Sequence, residues 1–344
     1  HLRYIFFSIA ILFFFEKFFN QNSNNKLFNY FLIAIIILLS DSFLQFYTGK
    51  NLFGYEIEAQ RISSFFGQEL VLGSFLIRTL PILIWYIFNF KIKINEKKLF
   101  YTLFFAAYFS VIYLSGERTS IGLFLIFFIL TVLFIIDLKK IFIYAFGIFL
   151  IFVFSTAFLN LGKSTITDRV FKKTYKQIFK IEQFEETKNE KSISSKKLVK
   201  IRIFSEDHNG HLILAKKLFL DNLFFGTGPK GFRHYCRQVN YEPDIGICST
   251  HPHNILAQIL SELGLLGFIF FVIFFIYIIK KFIGIIYIRN KSLHHKALLV
   301  ASLGLLINLF PFLPSGNFFN NWISLFIYFN LGLYLFSEKK ILSK

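Results

Sequence analysis

Methionine is missing from this chain, tryptophan and cysteine occur twice each, and there are only six prolines. With His1 at the start and no Met, we expect the chain to be a fragment whose first spans are missing. Its opening residues lack the charged, apolar and small-residue layout of a cleavable signal peptide. The two cysteines and their neighbouring histidines match no zinc spacing, so no metal site is expected. Acidic residues are scarce, 20 against 38 Lys and Arg, for a formal net charge of +18. No RNA- or DNA-binding signature accompanies that surplus, so it does not point to nucleic acid. No internal repeat is visible, which argues against a transporter built from inverted repeats.

What the chain has is long apolar runs, and Phe alone supplies 52 of 344 residues. A run of about 18 or more apolar residues reads as a membrane-spanning helix. Runs near 2–15, 27–46, 67–90, 99–115, 119–136, 141–161, 255–279, 297–312 and 318–336 give about nine spans. The third could be broken or re-entrant at Pro81. The fold class is therefore all-α: a polytopic helical membrane protein with one large loop. We divide it into an N-terminal bundle (1–161), the loop (162–250) and a C-terminal bundle (251–344).

Charge orients it. The connections at 16–26, 89–98, 137–140 and 280–296, with the C-terminal tail, hold 16 Lys and Arg. The opposite short connections hold only Lys50, Arg61 and Arg118. By the positive-inside rule the first set is cytoplasmic, which puts 162–250 outside. That loop is itself basic, but long loops translocate largely regardless of charge.

Within the loop, 163–205 is polar and is expected to form a helical hairpin or a mobile segment. Residues 211–225 (HLILAKKLFLDNLFF) have the pattern of an amphipathic helix on the membrane surface. Gly226, Gly228 and Gly231 then satisfy G-x-G-x-x-G, but they follow a helix in a loop and Pro229 interrupts them. Nucleotide binding is rejected on that context. A turn whose amides face a phosphate, or a plain turn, both stay open. Cys236 and Cys248 are expected to pair in an oxidising compartment, worth roughly 2–4 kcal/mol; free thiols are the alternative.

At "STHPHNILAQILSELGLLG" (249–267), Ser249 or Thr250 is expected to cap a new span. Asn254, Gln258 and Glu262 recur every fourth residue and share one helical face, with His251 near it. An ionisable Glu262 inside a span should face protein or a water-filled cavity. We expect a polar cavity wall; interhelical hydrogen bonding is the alternative.

"HNILAQILSELGLLG" resembles the signature of the O-antigen ligase and O-antigen polymerase superfamily. "RISSFFGQELVLGSFL" (61–76), "LSGERTSIGLFL" (114–125) and "LFLDNLFFGTGPKGF" (218–232) resemble further family stretches in the same order. The resemblance covers roughly 60–335. It implies a metal-independent glycosyltransferase, without cofactor, at the outer face of a bacterial inner membrane. The donor would be an undecaprenyl-pyrophosphate-linked glycan, and the acceptor lipid A-core or, in a polymerase, a growing glycan. Arg118 and Arg61 would neutralise the pyrophosphate, since Arg binds it bidentately. His253 stands where the family has its catalytic base, and a helix N-terminus would keep it neutral. His251, nearer the Asn254/Gln258/Glu262 face, is the second choice. The family's Arg before the surface helix is absent. His208, His211, Arg202, Arg233 or Arg237 would replace it, and we assign Arg61, Arg233, His211, Asn254, Gln258 and Glu262 to substrate binding.

Overall fold

The computed structural model describes residues 2–18, 21–90, 92, 94–159, 166–172, 174–175, 179–185, 195–201, 206–238 and 248–343. Every apolar run has become a helix. Among the described residues these are α1 (Leu2–Lys17), α2 (Gln21–Thr48), α3 (Leu72–Asn89), α4 (Lys98–Leu114), α5 (Arg118–Phe134) and α6 (Ile136–Phe158). Two shorter helices follow in the loop, α7 (Glu206–Asp221) and α8 (Gly231–Cys236). The chain finishes with α9 (Ile255–Ile286), α10 (Leu293–Asn308) and α11 (Asn321–Leu342).

Among the described residues four segments are long and apolar enough by themselves to cross a membrane: Lys26–Thr48 in α2, α3, α6 and α9. The helices α4, α5 and α10 are apolar but shorter. The chain is thus a multi-pass helical membrane protein by composition. The apolar side chains exposed on α1, α2, α6 and α9, among them Phe6, Ile33, Ile151 and Phe270, would face lipid in such a protein.

The helix ends follow from local chemistry. At the start of α10 the Ser292 hydroxyl accepts from the His295 amide, and His295 Nδ1 accepts in return from the Ser292 amide, both at 3.3 Å. This is a capping box with His in the place usual for Glu. At the start of α3 no local side chain caps the helix. Glu117, 44 residues away, accepts from the Gly73 and Ser74 amides at 2.9 and 3.1 Å. Two orphan N–H groups are thereby satisfied and a carboxylate sits at the positive end of the helix dipole.

The centre of the bundle is α3, buried along almost its whole length, with α10 packed directly on it. Pro81 does not break it: α3 runs through without interruption. Opposite Pro81 lies Gly304 of α10, where a Cβ would come 2.9 Å from the Pro81 Cβ and would also strike Asn330. The missing side chain lets three helices approach at one level.

Two further expectations change. The basic segment 137–140 is no loop; it is the first turn of α6, and the chain reverses at Ile135 alone. In the large loop, part of the expected helical hairpin is a β-hairpin, Phe179–Glu185 antiparallel to Ser195–Ile201. Its register sets Ile181 opposite Val199 and Phe179 opposite Ile201. Aromatic and β-branched residues recurring at every second position favour a strand over a helix.

Candidate functional site

The segment 255–286 is one helix in outline but carries a break. Gly264 has φ 65° and ψ −164°, outside helical space. The break leaves four backbone groups without helical partners, and the 222–228 turn provides for them. The Thr227 and Gly228 amides donate to the Ser261 and Glu262 carbonyls at 3.0 and 2.9 Å. In exchange, the Leu265 and Leu266 amides donate to the Leu223 and Phe224 carbonyls at 2.8 and 3.2 Å. Only Gly allows so close an approach: a Cβ on Gly226 would lie 2.5 Å from the Glu262 carbonyl carbon. The glycine-rich turn therefore docks the loop onto the broken helix. Its Thr227 and Gly228 amides are committed there, so the phosphate-cradle alternative is withdrawn for them.

Docking brings α7 and α8 against the start of α9. Leu214, Ala215 and Leu218 of α7 are buried with Phe232 of α8, beside Ala257 of α9. On the other side Ile213, Leu220, Phe224 and Phe225 are exposed, the apolar face expected of a helix at a membrane surface. A disulfide joins Cys236 to Cys248, with Cα atoms 5.6 Å apart, and ties the end of α8 to the approach to α9.

Four imidazoles meet at this junction. The His253 ring centroid lies 4.1 Å from that of His251, 5.0 Å from His208 and 5.3 Å from His211. His253 is not in the first helical turn. It precedes the cap residue Asn254 and has φ 54°, rare for a residue with a side chain. A helical wheel therefore misplaces it, and the two histidines lie side by side instead of on separate faces. They differ in their bonds. His251 is buried and uses both nitrogens, Nδ1 with Thr250 Oγ1 at 3.0 Å and Nε2 donating to the Ser315 carbonyl at 3.2 Å. Among the described residues His253 uses Nε2 alone, with Ser249 Oγ at 2.9 Å.

Burial pushes His253 down to about 3, and the neighbouring His251, His208 and His211 add to the effect. His251 falls to about 4, again chiefly through burial. We expected a helix dipole to keep His253 neutral. Desolvation and crowding by other imidazoles give the same neutral state for a different reason. Arg233 of α8 is close enough to lower His251 further, and its Nε is buried without a hydrogen-bond partner.

The polar face of α9 is where the structure departs furthest from expectation. Asn254 is the N-cap, its Oδ1 accepting from the Ala257 amide at 3.0 Å while Nδ2 donates to the Pro311 carbonyl at 2.9 Å. Gln258 and Glu262 are fully buried. Gln258 Nε2 donates to Asn317 Oδ1 and Glu262 Oε2, and Gln258 Oε1 accepts from the Phe318 amide. Glu262 Oε1 accepts from the Phe232 amide at 3.1 Å. These side chains do not line an open cavity; they bind the 311–318 and 228–232 loops that frame the histidines. The alternative of internal hydrogen bonding describes them.

A second cluster gathers at the same end of the bundle, around Glu117. Arg61 pairs with Glu117 at 3.3 Å and also donates to the Ser115 and Leu70 carbonyls. Burial depresses its pKa, so its charge is held by these partners. Arg118 is exposed, with Nη1 3.5 Å from Thr174 Oγ1. Sequence reasoning missed Arg169, which donates to the Gly116 and Ala59 carbonyls at 3.1 and 3.2 Å. It lies near enough to Arg61 and Arg118 for both to depress it further, after burial. Arg78 was missed too. It lies inside α3, only 4% exposed, with Nη1 donating to the Ser74 carbonyl, Nε without a partner and its guanidinium over the Trp322 ring. A lone charge in an apolar run is itself a signal of function.

The 311–317 loop links the clusters. Its Ser315 bonds His251 and the His253 backbone, while its Leu313 packs on α5 at Gly122, one turn beyond Arg118. Two residues of extended chain span at most about 7 Å, so the imidazoles and arginines share one neighbourhood. Arg237 is exposed beyond α8, and Arg202 lies outside the described residues.

A helical membrane protein that gathers histidines and arginines at one end of its bundle has the parts to activate a hydroxyl beside an anionic leaving group. Residues 103–272 match the model of the family described as O-Antigen ligase. The match spans α4 to the middle of α9, and takes in the Gly264 break, the four clustered histidines, and Arg118, Arg169 and Arg233, while Arg61 and Arg78 lie before it. It agrees with the resemblance read from the sequence, and points to a ligase- or polymerase-like glycosyltransferase. Neither a curated protein nor a solved structure matches the chain.

Proposed function

We propose that this protein transfers a glycan from an undecaprenyl-pyrophosphate carrier to lipid A-core, at the periplasmic face of a bacterial inner membrane. The reading takes all nine long helices as spans and 162–250 as a periplasmic loop. The acceptor hydroxyl oxygen attacks the anomeric carbon, the bond to the pyrophosphate breaks, and the hydroxyl proton passes to His253. Arg118 and Arg169 receive the charge of the departing pyrophosphate, with Arg61 and Arg233 beside them. Guanidinium groups would supply the charge that a metal supplies in other glycosyltransferases, so transfer is metal-independent.

One observation carries this assignment: among the described residues His253 is held neutral with one ring nitrogen engaged, whereas His251 engages both. A general base needs a free lone pair within reach of the proton it takes. Gln258, Glu262 and Asn254 act by holding the loops around it. His211 packs its ring beside His253, and Arg233 contributes a guanidinium with a donor unused. A cavity of about 300 Å³ between α2, α3 and α11, walled by Phe31, Phe75, Ile82, Leu325 and Phe329, offers apolar room for a carrier chain.

Complementation tests the reading. The full-length gene, expressed in a strain lacking its ligase, should restore polymer-bearing lipopolysaccharide on a gel. Polymer that lengthens only on the lipid carrier would instead mark a polymerase, which uses the same donor chemistry.

A further inference from the structure

At the opposite end of the bundle from the histidines, a cavity of about 480 Å³ opens between the α5–α6 corner and the α9–α10 loop. Its walls combine Ile135, Ile136 and Asp137 with Arg289, Lys291 and Lys296. The charges do not cancel. Lys296 pairs with Asp137 at 2.8 Å, so the one carboxylate in the wall is already neutralised. Lys291 donates two protons to the Ile286 and Ile288 carbonyls at 2.8 Å each, which closes the end of α9 and leaves its third N–H. Arg289 is exposed, and makes no hydrogen bond or ion pair among the described residues. A guanidinium fork and a fixed ammonium donor thus share one cavity, the pairing that recognises a phosphate.

The rim names the source of that phosphate. Leu133, Ile136 and Tyr287 stand 61%, 80% and 82% exposed beside the cavity. Apolar and tyrosine side chains at the end of membrane helices belong to the lipid interface, where acyl chains can lie along them. A free phosphate needs no such flank. We propose that this cavity binds the headgroup of an anionic phospholipid, its phosphate on Arg289 and Lys291 and its acyl chains along the exposed face of α5 and α9. This site is independent of the glycan-transfer reading. The basic pockets that helical membrane proteins carry between their spans hold anionic headgroups by the same means.

The test is native mass spectrometry of the full chain, released from micelles doped with phosphatidylglycerol or phosphatidylcholine. Wild-type protein should retain phosphatidylglycerol in preference to phosphatidylcholine. Arg289→Ala should weaken that retention about fivefold, the weight of one basic residue near an anionic lipid, and Arg289→Glu more. Arg289 is exposed and bonds to nothing among the described residues, so both variants should melt as the wild type does in phosphatidylcholine. Equal retention of the two lipids, or full retention by Arg289→Glu, would overturn the site. Competition by millimolar inorganic phosphate as effective as by the lipid would overturn the lipid assignment.

Discussion

Gly226 and Gly264 meet back to back: a Cβ on either would lie 2.5–2.6 Å from backbone atoms of the other's segment. Both have φ 65°. This contact lets a surface turn repair a broken membrane helix, and it sets the histidines of α7 beside those that precede α9.

Gly226→Ala and Gly264→Ala should each destabilise the protein severely. The left-handed conformation alone costs about 1–2 kcal/mol for a residue with a Cβ, and backbone, unlike a flexible side chain, cannot move aside. Melting in detergent should show a marked loss for each. Because both changes part the same contact, the double variant should lose less than the sum. Additive losses would mean that the two glycines act separately.

The arginines should divide by their bonds. Arg61 is tied to Glu117 and two carbonyls, so Arg61→Lys should lower the melting temperature together with activity. Arg118 is exposed and its guanidinium reaches outward to Thr174, so Arg118→Lys should leave stability largely intact. It should lower kcat/KM for transfer by about tenfold or more, since Lys keeps the charge but loses the bidentate fork. A normal rate for Arg118→Lys with pure lipid-linked donor would remove Arg118 from the leaving-group site.

Acid should destabilise the fold in a definite window. His253 and His251 titrate near 3 and 4 when folded, against about 6.5 in an unfolded chain. Between those values the unfolded state binds more protons, so stability rises with pH there. The stabilising effect is complete above about 6.5 and is lost as pH falls towards 4 and 3. Melting temperature should therefore be flat from pH 8 to 7 and fall below 6.5, and His253→Asn should reduce that slope. A wild-type melting temperature that held steady or rose down to pH 5 would contradict neutral, buried imidazoles.

The helices were legible because long apolar runs have few other solutions. The break in α9 was not, because its cause lies 38 residues upstream in Gly226, and Gly264 alone looks like any glycine in a span. The register of His253 failed for a related reason: a helical wheel was carried past Asn254, where the helix begins. Arg169 was hidden among the many cations of a basic loop, and only the fold brings it to Arg61. Arg78 was visible as a lone charge in an apolar run and was passed over. Glu117 illustrates the reverse. It is adjacent to Arg118 in sequence, yet the fold uses it to cap α3 and hold Arg61.

The central claim is that His253, and not His251, takes the proton from the acceptor. Single-turnover transfer from a purified lipid-linked donor to lipid A-core, measured for His253→Ala, tests it most directly. We predict a rate lowered by about 10²–10⁴-fold, as for loss of a general base, with donor binding and melting temperature little changed. A His253→Ala protein that transfers glycan at close to the wild-type rate would contradict the account.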